Sequence, residues 1–284
     1  MVLEELISPE RAEKHPWEML FMGMIYSSVA VFLSLYLFGG DDSSLIFVFF
    51  TVMACSILMY KTIKFEEFQD LGAVKEFKLL EHHGKALAFF IFLFLGFLIS
   101  FSLWYVFLPE DISSSVFHSQ VSVIRQINSN NADGMFIFNN VFGRIFMNNI
   151  KVLLFSVFFS FFYGMGAIFI LVWNASVVGA ATGMFIKGIL AKTLESAGLL
   201  SVSHYFSAIS LGLSRYLIHG IPEMAAYFVG GLAGGLISVA MIKHSTNSEQ
   251  FSRVIKDSSV LLCTAVLIIF VAALLEVYIT PIFF

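Results

Sequence analysis

One stretch of this chain, Leu217–Ile242, is strongly apolar and yet contains an imidazole and a carboxylate, His219 and Glu223. The stretch is long enough to cross a lipid bilayer as a helix. Ionisable side chains at membrane depth are costly, and they usually have a partner or a function. Similar apolar stretches recur along the chain, so the sequence predicts an all-α bundle of membrane-spanning helices. The His/Glu pair is the natural starting point for a functional hypothesis.

The composition supports a membrane protein and excludes several other classes. Hydrophobic residues make up 58% of the chain and charged residues only 13%, against about 25% charged residues in a typical soluble domain. The net charge of −4 is spread over loops and no basic arm is present, so no nucleic-acid partner is expected. Cys55 and Cys263 both fall in apolar segments and suggest buried reduced thiols. With no CxxC or Cys/His cluster, we predict no metal and no cofactor.

Six or seven apolar segments can be counted, which predicts a polytopic bundle of as many spans. They are approximately Met19–Phe38, Ser44–Tyr60, Ala86–Leu108, Ile150–Val172, Ser176–Leu190, Leu217–Ile242 and Ser259–Phe283. The fifth, which follows Trp173 and Asn174, covers roughly 22 Å and is short for a hydrocarbon core of about 30 Å. It is either a short span or part of a re-entrant element that pairs with Leu199–Leu213.

The distribution of basic residues predicts the orientation. Lysines cluster between the second and third segments, over Lys61–Lys85, and more basic residues lie between the last two segments. The positive-inside rule then puts the N-terminus in the cytoplasm and the C-terminus outside, for seven spans. Within Lys61–Lys85 the apolar residues recur every three or four positions, which indicates an amphipathic helix. It is either a connector packed on its own protein or a helix on the inner membrane surface.

These patterns divide the chain into two regions. Residues 1–85 comprise an N-terminal tail, a helical hairpin and the cytoplasmic amphipathic helix. Residues 86–284 form the membrane core domain, with an outer loop at 109–142. The apolar residues of that loop, among them Val116, Val121 and Ile124, predict a short helix on the outer surface.

Counting depth along the spans brings several polar residues to one level of the membrane. With a rise of about 1.5 Å per residue, independent segments place them in its outer part. This predicted polar layer consists of His219, Glu223, Glu276, Asn148 and Asn149. His219 and Glu223 share a face of a continuous helix, but Pro222 between them predicts a kink or a helix start near Ile221.

Small residues mark candidate helix contacts. Gly230, Gly231, Gly234 and Gly235 follow the His/Glu pair at spacings that favour close helix packing. Gly164 and Gly166, together with Gly179 and Gly183, are the counterparts that we expect them to pack against, in the same subunit or in a second copy.

Three interpretations of the polar layer remain open. Its members could bond to one another and fix the helix register. They could handle protons or ions in a transporter or channel. They could also bind zinc in an intramembrane metallohydrolase, although the chain contains neither HExxH nor GxSxG. No catalytic residue is assigned, and an enzyme is the less favoured class.

The residues named above resemble the signature of the stage II sporulation protein M family. The similarity is carried by the run His219–Glu223, the glycines from Gly230 to Gly234, and Glu276–Pro281 at the end of the last segment. Asn148 and Asn149, Gly164 and Gly166, and Asn174 with Gly179 fit the same pattern, so the resemblance covers roughly Phe142 to the C-terminus. It implies a multi-pass membrane protein. Members of this family in spore-forming bacteria act as membrane scaffolds for cell-wall-degrading proteins, while relatives elsewhere have no settled role.

We therefore expect a non-enzymatic integral membrane scaffold that organises a membrane-associated complex. Its expected partners are membrane lipid, a second copy of the chain in a homo-oligomer, with a dimer favoured, and other membrane or envelope proteins.

Overall fold

The computed structural model describes residues 15–39, 43–72, 76–132, 138–163, 166–243 and 248–283. Within these residues all regular secondary structure is helical. The helices are α1 (Glu18–Leu37), α2 (Ser43–Gly72), α3 (Glu76–Phe107), α4 (Glu110–Val116), α5 (His118–Ala132), α6 (Phe138–Tyr163), α7 (Gly166–Ala197), α8 (Val202–Lys243), α9 (Glu249–Leu274) and α10 (Thr280–Phe283). A π-helical turn, Leu275–Ile279, joins α9 to α10.

Six of these helices contain stretches long and apolar enough to cross a membrane, and α2 begins with a shorter apolar stretch, Ser43–Ser56. The predicted all-α membrane bundle is thus confirmed. The boundary proposed at residue 86 falls within the uninterrupted helix α3. Only the backbone of the predicted amphipathic helix at Lys61–Lys85 is described, apart from residues 73–75, and its side chains lie outside the described part of the chain.

The N-terminal part of the bundle is held by a crossing of α1 and α3 at which two glycines meet. A Cβ atom placed on Gly23 would lie 2.5 Å from the carbonyl oxygen of Leu93, and one placed on Gly96 would strike the carbonyl of Leu20. The two backbones therefore touch. Ser28 extends this contact, since it lies 3.0 Å from Ser100 and accepts a hydrogen bond from Trp104 Nε1.

The short helix predicted from Val116, Val121 and Ile124 is present as the helices α4 and α5, and both pack against the bundle. Val116 and Phe117 are fully buried, and the ring of Phe117 contacts those of Phe47 and Tyr105. The apolar residues of this segment lie on one face, and that face is buried against α2, α3 and α7. Burial of these side chains explains the location of α4 and α5.

The boundary that the sequence predicts at Trp173 and Asn174, between the fourth and fifth segments, is wrong, because α6 ends at Tyr163 and α7 begins at Gly166. Helix α7 runs through Asn174 without interruption and is 32 residues long, about 48 Å at 1.5 Å per residue. Asn174 Nδ2 donates to the carbonyl of Ile170, and Ser176 Oγ donates to that of Trp173. These polar side chains are satisfied by their own helix and do not end it.

Helices α7 and α8 form a long antiparallel hairpin. Gly198 has a φ of +72° and donates its N–H to the carbonyl of Leu194, so it ends α7 in the left-handed conformation that glycine adopts readily. The segment Leu199–Leu213 belongs mostly to α8, where Ala208 packs against Ile186 and Leu190 of α7. The fifth segment thus pairs with Leu199–Leu213, as the second of the two alternatives required, and α8 is a single helix of 42 residues.

Candidate functional site

The candidate site is a polar cluster on α8, at the level of Pro222. The helix continues through this proline from Val202 to Lys243, so the predicted helix start near Ile221 is wrong. Proline cannot donate a hydrogen bond to the carbonyl of Ile218, but neighbouring helices can support such a defect within a membrane bundle. Because the helix is continuous, His219 and Glu223 lie one turn apart on the same face.

Glu223 connects three helices. Asn149 Nδ2 of α6 donates a hydrogen bond to Glu223 Oε1. The carboxyl group of Glu223 is also hydrogen-bonded to that of Glu276, which lies in the π-turn. A hydrogen bond between two carboxyl groups requires a proton on one of them. Both glutamates are half-buried, and α6, α8 and the end of α9 meet at this pair.

His219 makes the next contact along the same helix pair. Its Nδ1 lies 3.2 Å from Thr280 Oγ1, and Thr280 Oγ1 in turn donates to the carbonyl of Leu275 at 3.1 Å. Since the threonine hydroxyl has one hydrogen and gives it to Leu275, it accepts from His219. The imidazole therefore carries a hydrogen on Nδ1 and directs Nε2 away from this bond.

The π-turn has a local cause in the sequence. The backbone N–H of Thr280 bonds to the carbonyl of Leu275, five residues back, which is the π-helical spacing. Pro281 follows directly; it has no N–H, and its ring would collide with the carbonyl of Val277 in a regular α-helix. The wider turn relieves that collision and presents Glu276 and Thr280 together to α8.

A second set of contacts fixes α8 against α6. Ser156 Oγ donates to the backbone carbonyl of Tyr227. A Cβ on Gly234 would lie 2.5 Å from the carbonyl oxygen of Val157, and one on Gly230 would overlap Leu153. The backbones of α6 and α8 are therefore in close contact next to the polar cluster, and this contact sets how Asn149 approaches Glu223.

The structure brings together four of the five residues in the predicted layer. Asn149 is buried, whereas its neighbour Asn148 is exposed and lies outside the cluster. Asn149 also lies about three turns inside its helix, because α6 begins at Phe138 and not near Ile150. Thr280 also belongs to the cluster. It lies within the sequence run Glu276–Pro281, and its spacing of four residues from Glu276 indicated that both side chains lie on the same side of the helix.

The predicted packing glycines fall into separate contacts. Gly230 and Gly234 pack against α6, whereas Gly179 and Gly183 pack against Phe101 and Tyr105 of α3 and not against the glycines of α8. Gly231 and Gly235 are buried, and a Cβ on Gly235 would meet no atom within 4 Å. Gly166 begins α7, and Gly164 lies outside the described residues.

A second buried polar contact was not anticipated from the sequence. Gln120 of α5 is fully buried, and its Nε2 donates to the carbonyl of Ser44 in α2 and to Ser176 Oγ in α7. It shares a helix face with Phe117 and Val121 at spacings of one to three residues. A polar residue on that apolar face was the available signal.

The chemistry of the main cluster is that of a hydrogen-bonded junction with one shared proton. Within the described part of the chain, no three His, Cys, Asp or Glu side chains come close enough to hold a metal ion. The described residues therefore give no support to the metallohydrolase interpretation.

Comparison with known proteins supports the sequence pattern. The family model described as stage II sporulation protein M matches residues 43–281, which is most of the chain. Comparison of this chain with the curated proteins and with the solved structures found no match.

Proposed function

Because this chain belongs to the stage II sporulation protein M family, we propose that it acts as a non-enzymatic multi-pass membrane scaffold. In this role the bundle holds partner proteins at fixed positions and carries out no reaction itself. We propose further that its N-terminus is cytoplasmic, that the polar cluster lies toward the outer face, and that the working form is a homodimer.

The observation that supports a scaffold most directly is the closure of the polar cluster upon itself. Asn149, Glu223 and Glu276 bond to one another, and His219 bonds to Thr280. Polar contacts of this kind contribute roughly 0.5–2 kcal/mol each in membrane bundles and fix the register of the helices. Such a cluster acts as a structural junction.

Close backbone crossings give a second line of support. Gly23 and Gly96 allow α1 and α3 to touch, and Gly234 does the same for α8 and α6. Small residues at crossings allow extensive van der Waals contact, the main force between helices in lipid. Together with the polar junction they make a rigid platform, as a scaffold requires.

The proposal is tested by recovering complexes from native membranes. Cells expressing tagged protein are treated with a mild crosslinker, and the tagged chain is purified and its partners identified. We compare wild type with Glu276→Gln, which keeps a hydrogen bond to Glu223, and with Gly234→Leu, which drives α6 and α8 apart. A scaffold recovers the same dimer and partners from wild type and Glu276→Gln, and loses them in Gly234→Leu.

Two results would overturn the proposal. One is a wild-type chain that remains strictly monomeric and recovers no partner. The other is ion or proton flux through wild-type protein in liposomes that Glu276→Gln abolishes while the complexes stay intact, since this would assign the cluster to transport.

A further inference from the structure

The C-terminal end of the chain contacts α8 through two polar contacts that lie side by side. Glu276 bonds to Glu223, and Thr280 bonds to His219. Other side chains of this segment are exposed: Tyr278, between the two contacts, is 49% exposed, and Ile282 and Phe283, beyond them, are 72% and 67% exposed. The two polar contacts therefore join a segment with several exposed side chains to α8.

The two contacts differ in how they depend on protons. Thr280 accepts from His219 Nδ1–H, and this hydrogen is present on the neutral imidazole described above and also on the charged one. The carboxyl contact, in contrast, exists only while one proton is shared. When that proton is lost, two negative charges face each other in a poorly solvated place, and like charges so close repel strongly.

Among the described residues, the groups that the structure shows against the pair are uncharged while the imidazole of His219 is neutral. From α8 these are His219, which is bonded to Thr280, and the phenol of Tyr227; from α6 the facing group is the neutral amide of Asn149. Arg215 is the basic residue of α8 next to this site in the sequence, one turn before His219 and two turns before Glu223.

We propose that Glu223 and Glu276 form a proton-held latch that fastens the C-terminal segment, from Glu276 to the end, onto α8. Loss of the shared proton to solvent opens the latch and releases that segment. The closed form holds one proton more than the open form, so raising the pH favours the open form. Both side chains are half-buried and not sealed, so the proton can exchange. This latch is independent of the scaffold role.

The test follows the mobility of the C-terminal segment as the pH is changed. A spin label is attached to Ile282→Cys in the full-length protein, after Cys55→Ala and Cys263→Ser remove the native thiols. Spectra are recorded in lipid nanodiscs from about pH 5 to about pH 10, a window that brackets buried carboxyl groups. Wild type is expected to change from an immobilised to a mobile spectrum as the pH rises.

Substitutions test whether the change in spin-label mobility depends on the two carboxyl groups. Glu276→Gln and Glu223→Gln each donate an amide hydrogen to the remaining carboxylate, so both are expected to stay immobilised across the whole range. Glu249→Gln, at an exposed position at the start of α9, the helix that leads into the π-turn, is the matched control and should reproduce the wild-type transition. His219→Gln should also retain a transition.

Several outcomes would overturn the latch. These are an unchanged wild-type spectrum over the whole range, a transition that persists in both glutamine variants, or a transition abolished by His219→Gln alone. Circular dichroism of each variant at both pH limits reports whether the bundle stays folded. A loss of helical signal in wild type alongside the mobility change would mean that unfolding, and not release of one segment, is observed.

Discussion

Glu223 of α8 lies opposite Glu276 of the π-turn, and His219 lies opposite Thr280, so the two contacts are four residues apart on each antiparallel partner. This regular spacing makes the interface a short ladder with two rungs. The π-turn allows the match, because it is the wider turn that places Glu276 and Thr280 on one side. The ladder predicts that each rung can be tested by a substitution that removes only its polar group.

Thr280→Val is expected to destabilise the bundle by about 0.5–1.7 kcal/mol, the range of polar contacts between membrane helices. Valine keeps the shape of threonine but removes the hydroxyl that joins His219 to the carbonyl of Leu275. The measurement is reversible unfolding in bicelles. Thr280→Ser retains the hydroxyl and serves as the control; equal losses from both variants would show that the methyl group, and not the hydrogen bonds, matters.

Asn149→Leu should reduce stability by about 1–3 kcal/mol, because it leaves the carboxyl group of Glu223 without its donor in a poorly solvated place. The adjacent Asn148 is exposed and offers a matched control on the same helix. Asn148→Leu is expected to change the unfolding free energy by less than about 0.5 kcal/mol. If the two leucine variants were equally stable, Asn149 would have no role in joining α6 to α8.

The sequence was sufficient to bring the main cluster together, because depth in a membrane is a one-dimensional count. Each helix rises by a fixed amount per residue, so His219, Glu223 and Glu276 could be assigned to one level without knowing which helices are neighbours. The sequence was insufficient to predict side-chain direction. Asn148 and Asn149 are the same residue type at nearly the same depth, and they differ only in the side of the helix to which each side chain points.

Helix ends and helix partners were predicted less well. Asn174 and Ser176 look like a helix boundary, but they bond back to their own helix and let α7 continue. The crossing of Gly23 and Gly96 is invisible in the sequence, since spacing shows that a glycine can admit a close neighbour but not which helix that neighbour belongs to. The π-turn depends on the hydrogen-bond register around Pro281, which hydropathy does not report.

Cysteine reactivity should separate the core from the lipid-facing surface. Cys55 is fully buried as expected, but the expectation that Cys263 is buried is wrong, since it is exposed on α9. In detergent micelles a small apolar maleimide is expected to label Cys263 at least about tenfold faster than Cys55, since reaction of a buried group requires local opening. Mass spectrometry of the labelled peptides measures both rates. Labelling of the two thiols at the same rate in folded protein, as in the denatured control, would contradict the packing of α2.

Gly234→Ala is expected to destabilise the bundle by about 1–3 kcal/mol, the usual cost of forcing extra volume into a packed interface. The added methyl would lie 2.5 Å from the carbonyl oxygen of Val157, a backbone atom that cannot move without shifting α6. Gly235→Ala is the matched control, because a Cβ there meets nothing within 4 Å in the same turn of α8. Unfolding of both variants in bicelles distinguishes a steric effect from a change in helix propensity. Equal stability of the two would mean that α6 and α8 are farther apart in the membrane than in this structure, and the approach of Asn149 to Glu223 would need revision.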